Sequence, residues 1–408
     1  MNKGVKILVA VLVAVAIAAG SFSGGVYAAT RLRSGSVSAA LPGLSNPSSG
    51  LGATSGADSA STLVDQVDGL IQREALVPPT ETSITANAID GVLKSLGDPY
   101  ATYFDPQHYK LFSEQTQGSF GGIGITLGEN KLGQAYVAGV IKGTPADKAG
   151  MKKGDVFVSV DGIVRDKWSS DEVVKRVRGK EGTKVTIGVK RVGSSAVITF
   201  TMARAAIAMP NIESQMIGRR VGYIRLFSFN AKAGDDIRKA LSTLSAKGAK
   251  GFILDLRDNP GGLLSSGVDV VSLFVKQGPV VRVDERGKAE QVYAVSGDVA
   301  TNKPLVVLVN ENSASASEIA AGALQDYGRA TIVGVKTFGK GSVQTIERLT
   351  NGGAVKFTTA HYLTPKKRVI NHKGLVPDVI VPMAAAKQAS AKTDVQRAEA
   401  VTVLQGKL

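Results

Sequence analysis

From Val221 onward the chain alternates apolar strand-like runs with amphipathic helical ones, and this alternation constrains the fold more than any other feature. VGYIRLFSF reads as a strand, AGDDIRKALSTLSAKG as a helix, GFILDLR as a strand and LLSSGVDVVSLFV as a helix. PLVVLVN, SASEIAAGALQDYG and ATIVGVK continue as strand, helix and strand, and VKFTTAHYLT adds a late strand. Strands separated by helices pair in parallel, with the helices crossing the sheet. Residues 203–383 are therefore expected to form an α/β core.

Upstream the texture differs. Between 116 and 202 short β-patterns are broken by glycine: GGIGITLGE, AYVAGVIKG, DVFVSVDGIV, TKVTIGVKR and AVITFTM, with a helix expected from Ser170 to Arg178. This is the pattern of a small β-rich domain with two short helices. Residues 61–115 read as a helical region, because Thr62–Leu76 and Ser83–Leu96 place apolar residues at helical spacing. Gly97-Asp98-Pro99 ends the second of these helices. The tail 384–408, rich in Ala, Lys and Gln, is expected to be helical.

At the N-terminus Lys3 and Lys6 precede an uncharged stretch, Ile7 to Thr30, whose first half is almost purely aliphatic. A positive start followed by an apolar run reads as an export signal, with Val26-Tyr27-Ala28 as a cleavage site. The whole stretch also approaches the ~20 residues that span a bilayer. Residues 1–30 are thus a signal peptide or a membrane anchor, and either places the rest of the chain outside the cytoplasm. Residues 31–60, poor in charge and rich in Ser, Gly, Ala and Pro, read as a flexible linker.

Charge and composition remove several functions. Forty-nine Lys and Arg against 34 Asp and Glu leave a net +15, but the excess is not gathered into a run or a basic helix. Nucleic acid is not expected as a partner, and a basic exported protein facing an anionic envelope accounts for the charge. No cysteine occurs, which excludes disulfide scaffolds, thiolate metal sites and cysteine nucleophiles. The three histidines are His108, His361 and His372.

Three segments carry candidate chemistry. In NENSASASEIAAGAL, residues 310–324, three serines alternate with small residues at a strand-to-helix junction. The unpaired N–H groups of the helix start suit a developing oxyanion, although serines also simply cap helices. A serine needs a base, and no G-x-S-x-G elbow accompanies the histidines. TFGKGSVQ, residues 337–344, offers the alternative of a desolvated lysine. There Lys340 lies between glycines beside Phe338, with Gln344 four residues on to aim the amine; a surface lysine in a glycine turn is the plainer reading. LDLRDNPGG, residues 254–262, forces a tight turn after a buried strand and leaves glycine N–H groups open to a ligand, unless it is an ordinary strand-end turn. Two near-matches fail. Gly334-x4-Gly339-Lys340 has Gly341 where a phosphate loop needs Ser or Thr. Gly122-x-Gly124 has Leu127 where a dinucleotide fingerprint needs glycine.

In the β-rich domain Gly122-Ile123-Gly124-Ile125 is a turn entering a strand, whose N–H groups suit a peptide's C-terminal carboxylate while the strand edge pairs with its backbone. Residues 142–191 hold thirteen basic and seven acidic side chains, in keeping with an anionic chain end.

In this order, DPYATYFDP, GGIGI, GTPADKAGMKKGDVFVSVDG, LDLRDNPGG, SASASEI, GKGSVQ and GLVPD resemble the carboxy-terminal processing peptidases, or tail-specific proteases, over about residues 62–382. The resemblance implies a multidomain α+β chain: a helical N-terminal region, a PDZ domain, and a crotonase- or Clp-protease-like serine protease core. It implies a Ser–Lys dyad on Ser315 and Lys340 with Gln344 in support, needing no metal or cofactor. Oxyanion donors map onto the N–H groups of Ala316 and of Gly261, or Gly262 one residue on. Arg178 maps onto an arginine linking the PDZ domain to the active site. The expected partners are proteins of the bacterial envelope with exposed apolar C-termini, and a second copy in a homodimer. Two rivals stand beside this reading. One is a catalytically silent PDZ adaptor that binds C-termini at the membrane. The other is a Ser-His esterase, which needs His361 or His372.

Overall fold

The structure, a computed structural model, describes residues 59–383 and 393–408. The export segment expected over 1–30, nearly all of the linker expected over 31–60, and the start of the C-terminal tail lie outside the described residues. The chain divides into a unit Met1–Leu63 and a unit Val64–Leu408, and the second holds every element below apart from the first residues of one helix.

Two helices come first, α1 (Ala60–Glu74) and α2 (Glu81–Lys94). Thr80 caps α2 by accepting from Ser83 N. No residue of α1 is buried, and α2 buries Leu93 alone. A short strand β1 (Thr102–Phe104) leads into α3 (Pro106–Gln117). The FDPQH sequence explains that start: Asp105 accepts from His108 N at 2.8 Å and Pro106 occupies the first turn. Gly118, at φ 71°, closes the helix in the left-handed conformation.

The β-rich part follows as β2 (Ser119–Gly122), β3 (Ile125–Glu129), β4 (Ala135–Val140), α4 (Pro145–Lys148), β5 (Val156–Val160), β6 (Ile163–Val164), α5 (Ser170–Val177), β7 (Lys184–Lys190) and β8 (Ile198–Ala203). The sheet runs β3-β4-β5-β7-β8 with antiparallel pairings, so β3 keeps one open edge. Ile123, Val137, Phe157, Trp168, Val173, Val177 and Ile187 fill its core. A reciprocal Ser169–Glu172 capping box starts α5. Strand β9 (Ala205–Ala208) pairs antiparallel with β2, so the segments entering and leaving this part lie side by side.

The core continues as β10 (Ile212–Ile217), β11 (Val221–Leu226), α6 (Ala233–Ala246), β12 (Gly251–Asp255), α7 (Leu264–Ser272), β13 (Pro279–Glu285), β14 (Gln291–Ala294), β15 (Leu305–Val309), α8 (Ala316–Asp326), β16 (Ala330–Gly334), β17 (Ser342–Arg348), β18 (Ala354–Leu363), β19 (Val379–Ile380) and α9 (Val395–Gln405). As the alternation predicts, β11, β12, β15 and β16 are parallel neighbours; β19 extends the sheet in parallel beside β16 and β10 adds an antiparallel edge. A larger apolar cluster joins this sheet to α6, α7 and α8, and a smaller one seats α9. The guanidinium of Arg257, after β12, donates to Asp255 at 2.6 Å and to Asp394, before α9, at 2.8 Å. Two features went unread in the sequence. One is a second sheet, β1-β18-β13-β14 with β17 on β18, of which only β18 was expected as a strand, although Asn351-Gly352-Gly353 in the β17–β18 turn is a hairpin signal. Strand β17 also begins directly after the lysine loop, so GSVQ is partly strand.

Candidate active site

Strands β12 and β15 are parallel neighbours, with Asp255 opposite Leu308, so the DNPGG and SASAS turns leave the same end of the sheet together. Hydrogen bonds stitch them. Ser313 Oγ donates to Leu256 O (2.8 Å), and Ser317 Oγ donates to Asn259 O (2.8 Å), which also accepts Ala314 N (3.1 Å). Asn310 Nδ2 donates to Asp258 Oδ1 (2.7 Å), and Asp258 N donates to Asn310 Oδ1 (2.9 Å). The outer two serines are wholly buried in this stitching. Ser315 differs: it is half-buried, and its hydroxyl donates to no protein group among the described residues.

Ser315 sits just before α8 at φ 54°, ψ −117°, a region that non-glycine residues rarely occupy and that costs about 1–3 kcal/mol. Surrounding bonds impose it. Ser315 N donates to Glu318 Oε2 at 3.0 Å, while Ser315 O accepts from Ile319 N at 2.9 Å and lies 3.1 Å from Tyr362 Oη. The turn presents the side chain beside the first N–H groups of the helix.

Glu318 is the hub that the sequence reading missed. Fully buried, its carboxylate accepts from Thr337 Oγ1 (2.5 Å), Gly339 N (2.7 Å), Lys340 N (2.9 Å) and Ser315 N (3.0 Å). Burial pushes its carboxyl up from the ordinary range, and these donors restrain the rise. Tyr362 Oη reaches the carbonyls of both Lys340 and Ser315. The Ser315 and Lys340 backbones are thus tied through two common partners. One signal was present in the sequence: Ser315-x-x-Glu318 is a capping-box spacing.

The glycines beside Lys340 are required by close approach. A Cβ on Gly341 would stand 2.4 Å from Asn371 N, and Gly339 adopts φ 91° against Gly374. The Lys340 amine lies 4.5 Å from the centroid of the Tyr100 ring. Burial, helped by the like charge of Lys356 and opposed by Asp98 and Glu318, brings its pKa down to about 8. Two features of this loop go beyond its local sequence. Phe338 is 57% exposed and does not cover the amine; Tyr100 does. Gln344 Nε2 donates to Ser342 Oγ (2.8 Å) and Thr358 Oγ1 (3.4 Å), because a bulge between Val343 and Gln344 directs it along β17–β18. Among the described residues the Lys340 amine has no hydrogen bond to Ser315 or Gln344 in this conformation.

Gly261 packs directly on the serine turn: a Cβ there would lie 2.8 Å from Ser315 Cβ and 2.6 Å from Ala314 O. Its N–H, however, donates to Asn259 Oδ1 at 2.9 Å. The neighbouring Gly262 bridges Phe229 through the atoms flanking it, Phe229 N to Gly261 O and Leu263 N to Phe229 O. Its own N–H, like that of Ala316, has no protein acceptor among the described residues.

The sequence-predicted peptide site is built as follows. Gly122 ends β2 and Ile125 opens the edge strand β3. Ile123 is buried in the core, so it can act only through its backbone. Gly124, at φ 82°, admits no Cβ beside Thr144. Ile123 and Gly124 accept through their carbonyls, from Ala146 N and Ile141 N, while their N–H groups have no protein acceptor among the described residues. Arg178 ends α5. Its guanidinium donates to Glu114 Oε2 of α3 at 3.3 Å and lies 4.4 Å from the Phe120 ring centroid. His361 and His372 are both exposed, and His372 contributes a backbone bond to Gly339 O.

A hydroxyl on a strained turn at a helix N-terminus, joined through a buried glutamate to a lysine of lowered pKa, is the kind of site a serine peptidase uses. Residues 220–381 match peptidase family S41, and 136–191 match a PDZ domain. A carboxyl-terminal-processing protease of Synechocystis is 37% identical over 329 residues, 79% of this chain and 77% of the relative. One from Picosynechococcus is 37% identical over 342 residues, 82% and 83% of the two chains. A solved photosystem II D1 C-terminal processing protease has 31% identity and a TM-score of 0.44, covering 78% of this chain and 86% of its own. The chain belongs to peptidase family S41. Within it, it is a serine peptidase of the carboxyl-terminal-processing group, with a PDZ domain.

Proposed function

We propose that Ser315 and Lys340 form the catalytic dyad, and that the PDZ domain delivers apolar C-terminal tails of other proteins to it. The observation that carries this reading is the lysine amine of lowered pKa whose backbone shares Glu318 Oε2 with that of Ser315. A neutral Lys340 takes the Ser315 proton as the hydroxyl attacks the scissile carbonyl, then gives it to the leaving amine. Water hydrolyses the resulting acyl ester by the same relay. The developing oxyanion is held by the N–H of Ala316 and by that of Gly262, since the Gly261 N–H is already engaged. A side-chain rotation must first bring the Lys340 amine onto Ser315 Oγ. Gln344 is one bulge away and can follow it.

A substrate tail adds to the open edge of β3, with its carboxylate on the N–H groups of Ile123 and Gly124 between Gly122 and Ile125. Arg178 couples this domain to the body through Glu114. Lys3, Lys6 and the apolar stretch after them send the protein out of the cytoplasm, cleaved or anchored in the envelope membrane. No helix among the described residues is long and apolar enough to cross a membrane. In α1, Val67 and Leu70 are about half exposed, and a homodimer would cover that face.

The test is cleavage of an apolar-tailed protein by the purified chain beside Ser315→Ala and Lys340→Met. Cleavage by the unmodified chain alone supports the dyad. Retained cleavage by either variant contradicts it, and tight tail binding without cleavage by any of the three returns the adaptor.

A further inference from the structure

The segment between α2 and α3 belongs to the site rather than to its surroundings. Asp98 Oδ2 accepts Thr358 N at 2.7 Å and Asp98 Oδ1 accepts Tyr100 N at 2.9 Å, which turns the chain onto β18. Strand β1 then pairs antiparallel with β18, with Thr102 opposite Lys356 and Phe104 opposite Ala354. The result sets Tyr100 over the Lys340 amine at 4.5 Å, and the Phe104 and Phe112 rings at 5.4 and 6.0 Å from the Lys356 amine. Those two rings stack on each other, with centroids 4.9 Å apart. Two lysines are thereby withdrawn from water on either strand of the β17–β18 region, with one carboxylate, Asp98, acting on both.

We infer that Tyr100, Asp98 and Lys356 are positioning residues for the proposed base: Tyr100 shuts water from the Lys340 amine, while Lys356 and Asp98 set the charge it feels. The inference rests on Lys340 being the base. The charged and titratable groups around Lys340 are Glu318 from α8, Tyr362 and Lys356 from β18, and Asp98 and Tyr100 from the segment before β1. Lys356 faces Asp98 and the two phenylalanine rings. Burial opposes the Asp98 charge, but the N–H groups of Tyr100 and Thr358 and the lysine charge outweigh it, so Asp98 stays ionised. A cation beside a lysine disfavours its protonation, and removing that cation raises its pKa. Each unit of such a rise cuts the neutral fraction at pH 7 about tenfold.

The experiment is kcat/KM against pH, from about 6 to 10, for the full chain and for Lys356→Met, Lys356→Arg, Tyr100→Leu and Tyr100→Phe, each checked for folding by circular dichroism. Lys356→Met and Tyr100→Leu should move the acid limb to higher pH, with up to about tenfold loss at pH 7 recovered on the alkaline plateau. Lys356→Arg keeps the charge and Tyr100→Phe keeps the ring, so both should leave the limb in place. A loss equal at every pH, or a limb unmoved in both Lys356→Met and Tyr100→Leu, overturns the inference and leaves these residues structural. Lys340→Met in the same series separates the two claims. If it still cleaves, the dyad reading is what fails; if it is dead while the limb stays put in the other variants, this inference alone fails.

Discussion

The serine turn and the lysine loop share a hub but are held in opposite ways. Ser315 is fixed by its backbone: three hydrogen bonds and the glycine turn behind it hold one strained conformation. Lys340 has its backbone pinned by Glu318 and Tyr362, yet its amine has only burial, an aromatic face and distant charges around it. The nucleophile is thus placed by geometry and the base is tuned by environment. A hydroxyl needs placing, because its chemistry depends on where it sits beside the oxyanion donors. A lysine needs a lowered pKa first and can rotate into place afterwards.

The sharpest way to break this contrast is to remove each chemical group. Ser315→Ala and Lys340→Met should each cut turnover by at least about 10⁴-fold, with the double variant no worse than either alone. Additive losses, read from kcat on a tailed substrate, would show that the two do not act as a unit. Next in size is Glu318→Ala, which orphans four donors at once. It should cost about 3–5 kcal/mol in denaturant unfolding and disorder both loops together. A loss below about 1 kcal/mol would deny the hub its role. Smaller still is Gly341→Ala, whose Cβ meets the backbone of Asn371. It should cost about 1–3 kcal/mol and lower activity while leaving tail binding to the PDZ domain intact; an unchanged melting temperature contradicts it. A last effect is on the pH dependence of stability. Lys340 has its pKa lowered from 10.5 to about 8 in the folded protein, so between those values the unfolded chain binds more protons and folding stability rises with pH. Lys340→Met should flatten that rise, and an identical slope in melting temperature between pH 8 and 10.5 would contradict the burial of the amine.

Legibility in the sequence follows the same divide. The parallel pairing of β11, β12, β15 and β16 was readable because apolar strands and helices alternate at short range. SASAS and NPGG were readable because turn chemistry is local: small residues, a proline and two glycines dictate where the backbone exposes its N–H groups. The same locality left Gly261 and Gly262 undecided, since only the Asn259 side chain distinguishes which N–H is engaged. The environment of Lys340 was not readable. Phe338, its near neighbour, points to solvent, while Tyr100, just before β1, and Lys356, on β18, arrive from outside the loop through the β1–β18 pairing. Glu318 was not singled out: its spacing from Ser315 fits a capping box, but its second oxygen serves a loop some twenty residues away. The β13–β14 hairpin escaped notice because β14 is exposed throughout and shows no buried face, although β13 buries Val280, Val281 and Val283.

The central claim is that the Lys340 amine is neutral enough to take a proton from Ser315. It is tested most directly by titrating that amine, with lysines ¹³Cε-labelled and the Lys340 resonance assigned by its absence in Lys340→Met. The account predicts a midpoint near 8, well below the other lysines. A midpoint near the ordinary ~10.4 would leave Lys340 a charged surface lysine and send the search for the base elsewhere.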